Sequence, residues 1–149
     1  MSEINDLAPW ANTDGASVVR DDSAGEPDHH GYDLEERTAQ FGERIIDFCK
    51  RIPRGPRTDR LIDQLTGCGT SVGGNYCEAD DAVSQKEFIK IIGTCRKEAR
   101  ETKFFLRMVA RACPELADES RELWLEAKEL HLIFSKSRRT AIRNSSKQP

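Results

Sequence analysis

Basic side chains recur between residues 85 and 113 at a spacing that places them on one side of a helix. At about 100° per residue, six bases fall on that side or at its edge, and they are our candidates for binding nucleic acid: Lys90, Lys97, Arg100, Lys103, Arg107 and Arg111. The acids Glu87, Glu98 and Glu101 fall on another side, so the charges are segregated by sign. Because like charges four residues apart weaken a helix slightly, the pattern indicates more than a solvated surface that serves stability.

Three kinds of partner could balance this basic face. Carboxylates of a neighbouring helix or subunit would make it an ordinary protein surface. The phosphates of RNA or DNA would bind it by charge neutralisation, which gives affinity without a choice of base sequence. A different anionic partner is the third alternative, and the sequence leaves all three open.

Large apolar side chains lie on the outer sides of the last two helical segments. Six of them fall outside the core stripes: Ile89, Phe104, Met108, Trp124, Leu125 and Leu132. An exposed phenylalanine among bases can stack on a nucleobase, but such residues are more often anchors of a protein interface. We therefore predict a homo-oligomer, with an interface that includes Phe104, Met108, Trp124 and Leu132.

Catalytic and metal-binding patterns are not evident in the sequence. Carboxylate-bridged metal bundles use Glu-x-x-His on paired helices, whereas His131 has Lys128 three residues before it. The five cysteines are an odd, widely spaced set without a C-x-x-C pair, and four of them fall on apolar helical positions. We expect no catalytic residue, no metal site and no cofactor, and therefore a protein that is not an enzyme.

Four amphipathic segments carry these residues. Apolar residues recur at three- and four-residue spacing along each segment, and no stretch alternates as a β-strand does. Capping boxes and helix breakers predict the limits, which are Asp33 and Pro53 for the first helix, Thr58 or Asp59 for the start of the second, Ser84 and Pro114 for the third, and about residue 143 for the end of the fourth. The predicted fold is all-α, an antiparallel up-down-up-down four-helix bundle over residues 33–143.

The first 32 residues differ from the rest of the chain in charge and composition. They hold seven acids and one base, a net charge of −6, which leaves +3 for the remaining residues. Because they show no apolar periodicity, we predict a disordered acidic tail, with a second short tail at 144–149. No run of about 18 apolar residues and no secretory signal is visible, so we expect a cytoplasmic protein with no membrane partner.

The second helical segment contains an unusual run of glycines at positions 67, 69, 73 and 74. Each would cost about 1 kcal/mol relative to alanine inside a helix. A phosphate-binding loop would require a following lysine and a preceding strand, and neither is present. Close helix packing explains the glycines better, with Ser71 and Asn75 available to form hydrogen bonds across the bundle.

This same segment resembles a known family. Ser71-Val-Gly-Gly-Asn75-Tyr-Cys-Glu78 is similar to the S-I-A-A-N-I-A-E segment of the four helix bundle proteins, also called the 23S ribosomal RNA intervening-sequence proteins. Ser71, Asn75 and Glu78 are the matching positions of this structural motif. Glycines replace the usual alanines at 73 and 74, and the resemblance covers about residues 34–142.

The resemblance implies the bundle fold and a choice of partners. Members are encoded in bacterial genomes, within insertions in ribosomal RNA genes or elsewhere, and most have no defined role. Relatives associated with diversity-generating retroelements form barrel-like pentamers and bind nucleic acid and a reverse transcriptase through basic surfaces. Two hypotheses follow: a homo-oligomer, a pentamer by resemblance, that binds RNA or DNA, or a structural adaptor that binds another protein.

Overall fold

The structure, a computed structural model, describes residues 30–148, with side chains described from residue 34. This part of the chain contains four α-helices and no strand: α1 (His30–Arg51), α2 (Asp59–Asp80), α3 (Gln85–Ala112) and α4 (Ala117–Ser145). A short 3₁₀ turn, Pro114–Leu116, joins the last two helices. The predicted all-helical fold class is confirmed. Of the predicted disordered tail, residues 1–29 lie outside the described part, and residues 30–32 belong to α1, so the prediction was wrong for these three.

The predicted helix limits are correct at α2 and α3 and wrong at the start of α1. At α3, the backbone N–H of Glu87 donates to the Ser84 hydroxyl at 3.1 Å, and the Glu87 carboxylate accepts from the N–H of Val83 at 2.9 Å. This is a capping box displaced by one residue. The first helix already begins at His30, so Asp33 lies inside it rather than capping it. A capping sequence marks a possible helix start, but it does not by itself prevent the helix from beginning one turn earlier.

One hydrophobic core runs through the molecule. Each helix packs against the next along the chain, and α1 also packs against α4. The apolar stripes predicted from the sequence supply most of the buried residues, which include Phe41, Ile45, Phe48, Leu65, Val72, Ile92, Leu106, Val109, Leu130 and Phe134. The helical periodicity of the sequence therefore identified the core-facing side of every helix.

The glycines of α2 divide into two pairs. A Cβ on Gly69 would stand 2.7 Å from Cγ2 of Ile45, and one on Gly73 would stand 3.2 Å from Oγ1 of Thr38. These two positions confirm that small residues allow α1 to approach the backbone of α2. Gly67 and Gly74 have no neighbour within 4 Å of such a Cβ, so packing among the described residues does not explain them.

Asn75 does not bridge the bundle as we predicted. Its side-chain amide donates to the carbonyl oxygen of Ser71, 2.8 Å away and one turn earlier in the same helix. Both residues are half-buried, so this bond satisfies the amide locally. The motif at 71–78 therefore stabilises α2 itself, while contact with α1 depends on the glycines.

Ion pairs join α1 to α4. Arg37 donates from Nε to the Glu126 carboxylate at 2.6 Å and also binds Glu129, and Arg51 binds Glu119. The hydrogen bond to Glu126, reinforced by the neighbouring negative charges, raises the pKa of Arg37. Two carboxylates of α4 are therefore held by one arginine of α1.

The cysteines pack as the sequence predicted. Cys49, Cys68, Cys95 and Cys113 are buried free thiols, and Cys77 is exposed. Burial raises the pKa of Cys68 to about 11 and that of Cys95 to about 12. These thiols are thus kept protonated and act as small apolar groups.

In the described part of the chain, no helix is long and apolar enough to cross a membrane.

The two classes of glycine predict opposite effects of substitution. Gly69→Ala should lower the free energy of unfolding by roughly 1–2 kcal/mol, because the buried Ile45 cannot move away from the new methyl group. Gly74→Ala should raise it by up to about 1 kcal/mol, because the methyl group meets open space and alanine favours the helix. Urea unfolding of both variants, monitored by circular dichroism, measures the difference. Equal effects of the two substitutions would contradict the close approach at Gly69.

Candidate nucleic-acid interface

The outer face of α3 is basic in the structure as it is in the sequence. Five of the six predicted bases have exposed side chains, and Lys103 is half-buried. Among residues 34–148, no ion pair of 4.0 Å or less involves Lys90, Lys97, Arg100, Arg107 or Arg111. Carboxylates of a neighbouring helix therefore do not pair directly with these five bases within the described residues. That the six bases of α3 bind nucleic acid stays a prediction.

The carboxylates of the neighbouring elements are directed elsewhere. Three carboxylates of α4 meet α1, where Arg37 binds Glu126 and Glu129 and Arg51 binds Glu119. Within α3, Glu98 and Glu101 lie close enough to Cys68 of α2 for their charges to raise the pKa of that thiol. Burial and the charge of Glu101 in turn raise the pKa of Glu98. Acids therefore concentrate toward α1 and α2, and the outer side of α3 is left to bases.

An exposed aromatic ring stands within this basic face. Phe104 is 56% exposed, and its ring meets that of Phe105 edge-on, with centroids 5.2 Å apart at 83°. Phe105 is half-buried and packs against the core. The inner ring thus supports the outer one, while Met108 beside it is half-buried. Phe104 has the position and support that a stacking contact or an interface anchor requires.

Trp124 was placed outside the core by the sequence, and this placement was wrong. It is 8% exposed and belongs to the hydrophobic core. The ammonium groups of Lys103 and Lys128 lie 5.4 and 5.8 Å from the centre of its ring, within the range of cation–π attraction. Ser120, one turn before Trp124, is also buried, and its hydroxyl donates to the Leu106 carbonyl at 2.6 Å. The buried side of α4 is therefore wider near Trp124 than the apolar stripe of the sequence predicted. Leu125 and Leu132 are exposed, so they retain the predicted outer position.

His131 is a buried polar group that the sequence did not mark as part of this face. Its Nε2 atom is shielded from solvent and has no hydrogen-bond partner among the described residues. Burial lowers the pKa of His131, and the charges of Lys103, Arg96 and Arg100 lower it further. The histidine therefore sits beside the basic face in its neutral form.

The sequence of this chain matches a known protein family. The sequence profile of the 23S rRNA-intervening sequence proteins matches residues 32–136. The chain belongs to this family. The resemblance noted in the segment at 71–78 is thus confirmed over most of the helical part. A search of curated proteins found no match.

A solved structure shows the same fold. It is the crystal structure, at 1.70 Å resolution, of a protein of unknown function from the S23 ribosomal protein family of Bacteroides thetaiotaomicron. The two chains are 21% identical and superpose with a TM-score of 0.65, over 73% of this chain and 97% of that one. At this identity the match establishes the helical fold alone.

The burial of His131 predicts a pH dependence of stability. Because its pKa in the folded state lies below the usual 6.5, the unfolded chain binds more protons between the two values. The free energy of unfolding should therefore fall as the pH drops from about 7.5 to about 5.5. In His131→Gln the fall should be smaller, and chemical denaturation at several pH values measures both slopes. Identical slopes would show that His131 titrates normally.

Proposed function

We propose that this family member is a non-enzymatic, self-associating protein that binds the phosphate backbone of RNA or DNA through the basic outer face of α3. The observation that supports this most is the set of five exposed bases that make no ion pair within the described residues. Lysine and arginine side chains in such an array attract phosphates and release their counterions on binding. Two acids of the same helix, Glu98 and Glu101, lie close to Cys68 of α2.

The aromatic pair adds a second kind of contact. Phe104 projects from among Arg100, Arg107 and Arg111, so a strand whose phosphates contact those arginines would bring its bases near the ring. Stacking of this kind tolerates any base, because every base presents a π-face. The proposed binding is therefore weakly specific, favours single-stranded or looped nucleic acid, and depends strongly on salt.

The helix topology and the self-association of protomers are also part of what we propose. We infer an antiparallel up-down-up-down bundle, since Arg37 meets Glu126 and Arg51, farther along α1, meets Glu119, earlier in α4. Three of the apolar side chains that the sequence placed outside the core are exposed, namely Phe104, Leu125 and Leu132 at 56, 41 and 55%. Exposed side chains of this kind favour self-association, and the pentamer remains an expectation from the family resemblance.

A structural adaptor that binds another protein is the second candidate. The same exposed apolar residues favour it, because a protein partner could cover them instead of a second copy. Under this alternative the bases would contact acidic side chains of the partner. Binding to nucleic acid then separates the two candidates.

Charge reversal on α3 tests the proposed binding. The variant Arg100→Glu/Arg107→Glu/Arg111→Glu should lose binding to a labelled single-stranded RNA by roughly a hundredfold or more at about 50 mM salt, because three phosphate contacts become repulsive. The matched control reverses Arg44, Arg57 and Arg60, exposed bases of α1, α2 and the connecting segment, and gives the same net charge. Fluorescence anisotropy over a range of salt concentrations measures both. Equal losses in the two variants would reduce the effect to net charge, and no binding by the wild type would favour the adaptor.

Substitution of the outer apolar residues tests self-association. Phe104→Ser/Leu132→Ser should lower the mass measured by light scattering, since both side chains would leave an interface that water otherwise cannot reach. Both residues are exposed in the protomer, so the unfolding temperature of the dissociated chain should change little. A wild-type chain that is monomeric at tens of micromolar would contradict self-association.

A further inference from the structure

The outer seam between α3 and α4 gathers bases from both helices. On α3, Arg96, Arg100 and Lys103 follow one another at the four- and three-residue spacing of a single ridge. On α4, Lys128, His131 and Arg138 follow at spacings of three and seven. These six residues, which we call the seam bases, form two ridges on adjacent helices.

Two contacts across the helices show that the ridges face each other. At one end Lys103 of α3 reaches the ring of Trp124, the residue one turn before Lys128. At the other end Arg138 lies against Gly93, where an added Cβ would stand 3.2 Å from its Nε atom. The absence of a side chain at Gly93 thus leaves room for an arginine from α4. From Gly93 to Lys103 the seam is about 15 Å long, at about 1.5 Å per residue.

His131 lies between these two ends. Its Nε2 atom is buried and makes no hydrogen bond in the described part of the chain. The charged groups of α3 that act on it are all bases, namely Lys103, Arg96 and Arg100. On its own helix, Lys128 precedes it by one turn, and Ser135, one turn later, donates to its backbone carbonyl at 2.7 Å. On α4, Glu119, Glu126 and Glu129 bind arginines of α1 instead.

The seam therefore concentrates positive charge around a group that can still gain a proton. Within the described residues, Arg96, Arg100 and Arg138 form no ion pair. Arginine binds phosphate through two parallel N–H groups, and two or three arginines along a groove fit successive phosphates of one chain. A carboxylate ligand of a protein partner would supply single charges rather than a continuous row.

We propose that the α3–α4 seam binds a run of consecutive phosphates and that this binding takes up a proton on His131. The inference rests on the proposed nucleic-acid binding and extends it from the outer bases of α3 to a site that includes α4. The bound phosphates offset the repulsion from Arg96, Arg100 and Lys103 that keeps the imidazole neutral. Protonation and phosphate binding consequently strengthen each other, because linkage between two sites is reciprocal.

The experiment measures the affinity of the full chain for oligothymidylate at about pH 6 and about pH 8. Phosphodiesters and thymine do not titrate in this range, so any change belongs to the protein. We expect the wild type to bind about three- to tenfold more tightly at the lower pH, and His131→Gln to bind equally at both. Arg96→Gln/Arg138→Gln should lose affinity, whereas the matched pair Arg44→Gln/Arg60→Gln should lose less. Long-chain inorganic polyphosphate serves as a second probe, which separates free polyphosphate from nucleic acid.

Nuclear magnetic resonance provides a readout that does not depend on a variant. The chain has three histidines, so the ring signals of His131 can be distinguished from those of His29 and His30. Saturation with oligothymidylate should raise the pKa of His131 in the wild-type chain. Binding with no pH dependence and no change at His131 would overturn the inference and leave the proposed function intact. His131-linked binding of polyphosphate alone would sustain the seam and overturn nucleic-acid binding, and binding of neither probe would overturn both.

Discussion

The close approach of α1 to α2 at Gly69 is the contact on which the charge distribution of the molecule depends. Ile45 occupies the space that a Cβ would need, so α1 lies against the backbone of α2. From this position Arg37 reaches Glu126 and Glu129 of α4. Partly exposed ion pairs of this kind add little stability, on the order of 1 kcal/mol or less. Their consequence is the placement of charge, because they hold carboxylates of α4 on the α1 side and leave the outer α3–α4 side to bases.

The sequence was sufficient to predict the helices and the basic face because both depend on local periodicity. A three- and four-residue repeat of apolar residues identifies the buried stripe of a helix before its neighbours are known. The same rotation of about 100° per residue places Arg100, Arg107 and Arg111 together on the opposite side. The capping box at Ser84 likewise acts within a few residues. Predictions that use one helix alone therefore agree with the structure for most of the core stripe and for the start of α3, but not for the start of α1 or for Trp124.

Features that depend on contacts between two helices could not be predicted from the pattern of one helix. Trp124 is buried in the core with Lys103 of α3 over its ring, and no pattern within α4 records that contact. His131 belongs to the basic region through the charges of α3, not through its own neighbours in sequence. The predicted bond from Asn75 across the bundle failed because a carbonyl oxygen one turn away in the same helix was available. The sequence supplied the residue types of the site, but their combination across the α3–α4 seam required the packed helices.

Charge and apolar surface on α3 place a joint constraint on any assembly. Phe104 stands among arginines, so an interface that covers its ring also brings those arginines near the neighbouring protomer. An arginine buried without a partner costs several kcal/mol, which exceeds what burial of one phenylalanine side chain returns. A stable contact must therefore leave the arginines at its rim or pair them with acids such as Glu35, Glu36 and Glu43, which are exposed on α1. In the first arrangement the basic faces of several copies would remain open to one phosphate chain, and their joint engagement would strengthen the proposed binding without any new contact.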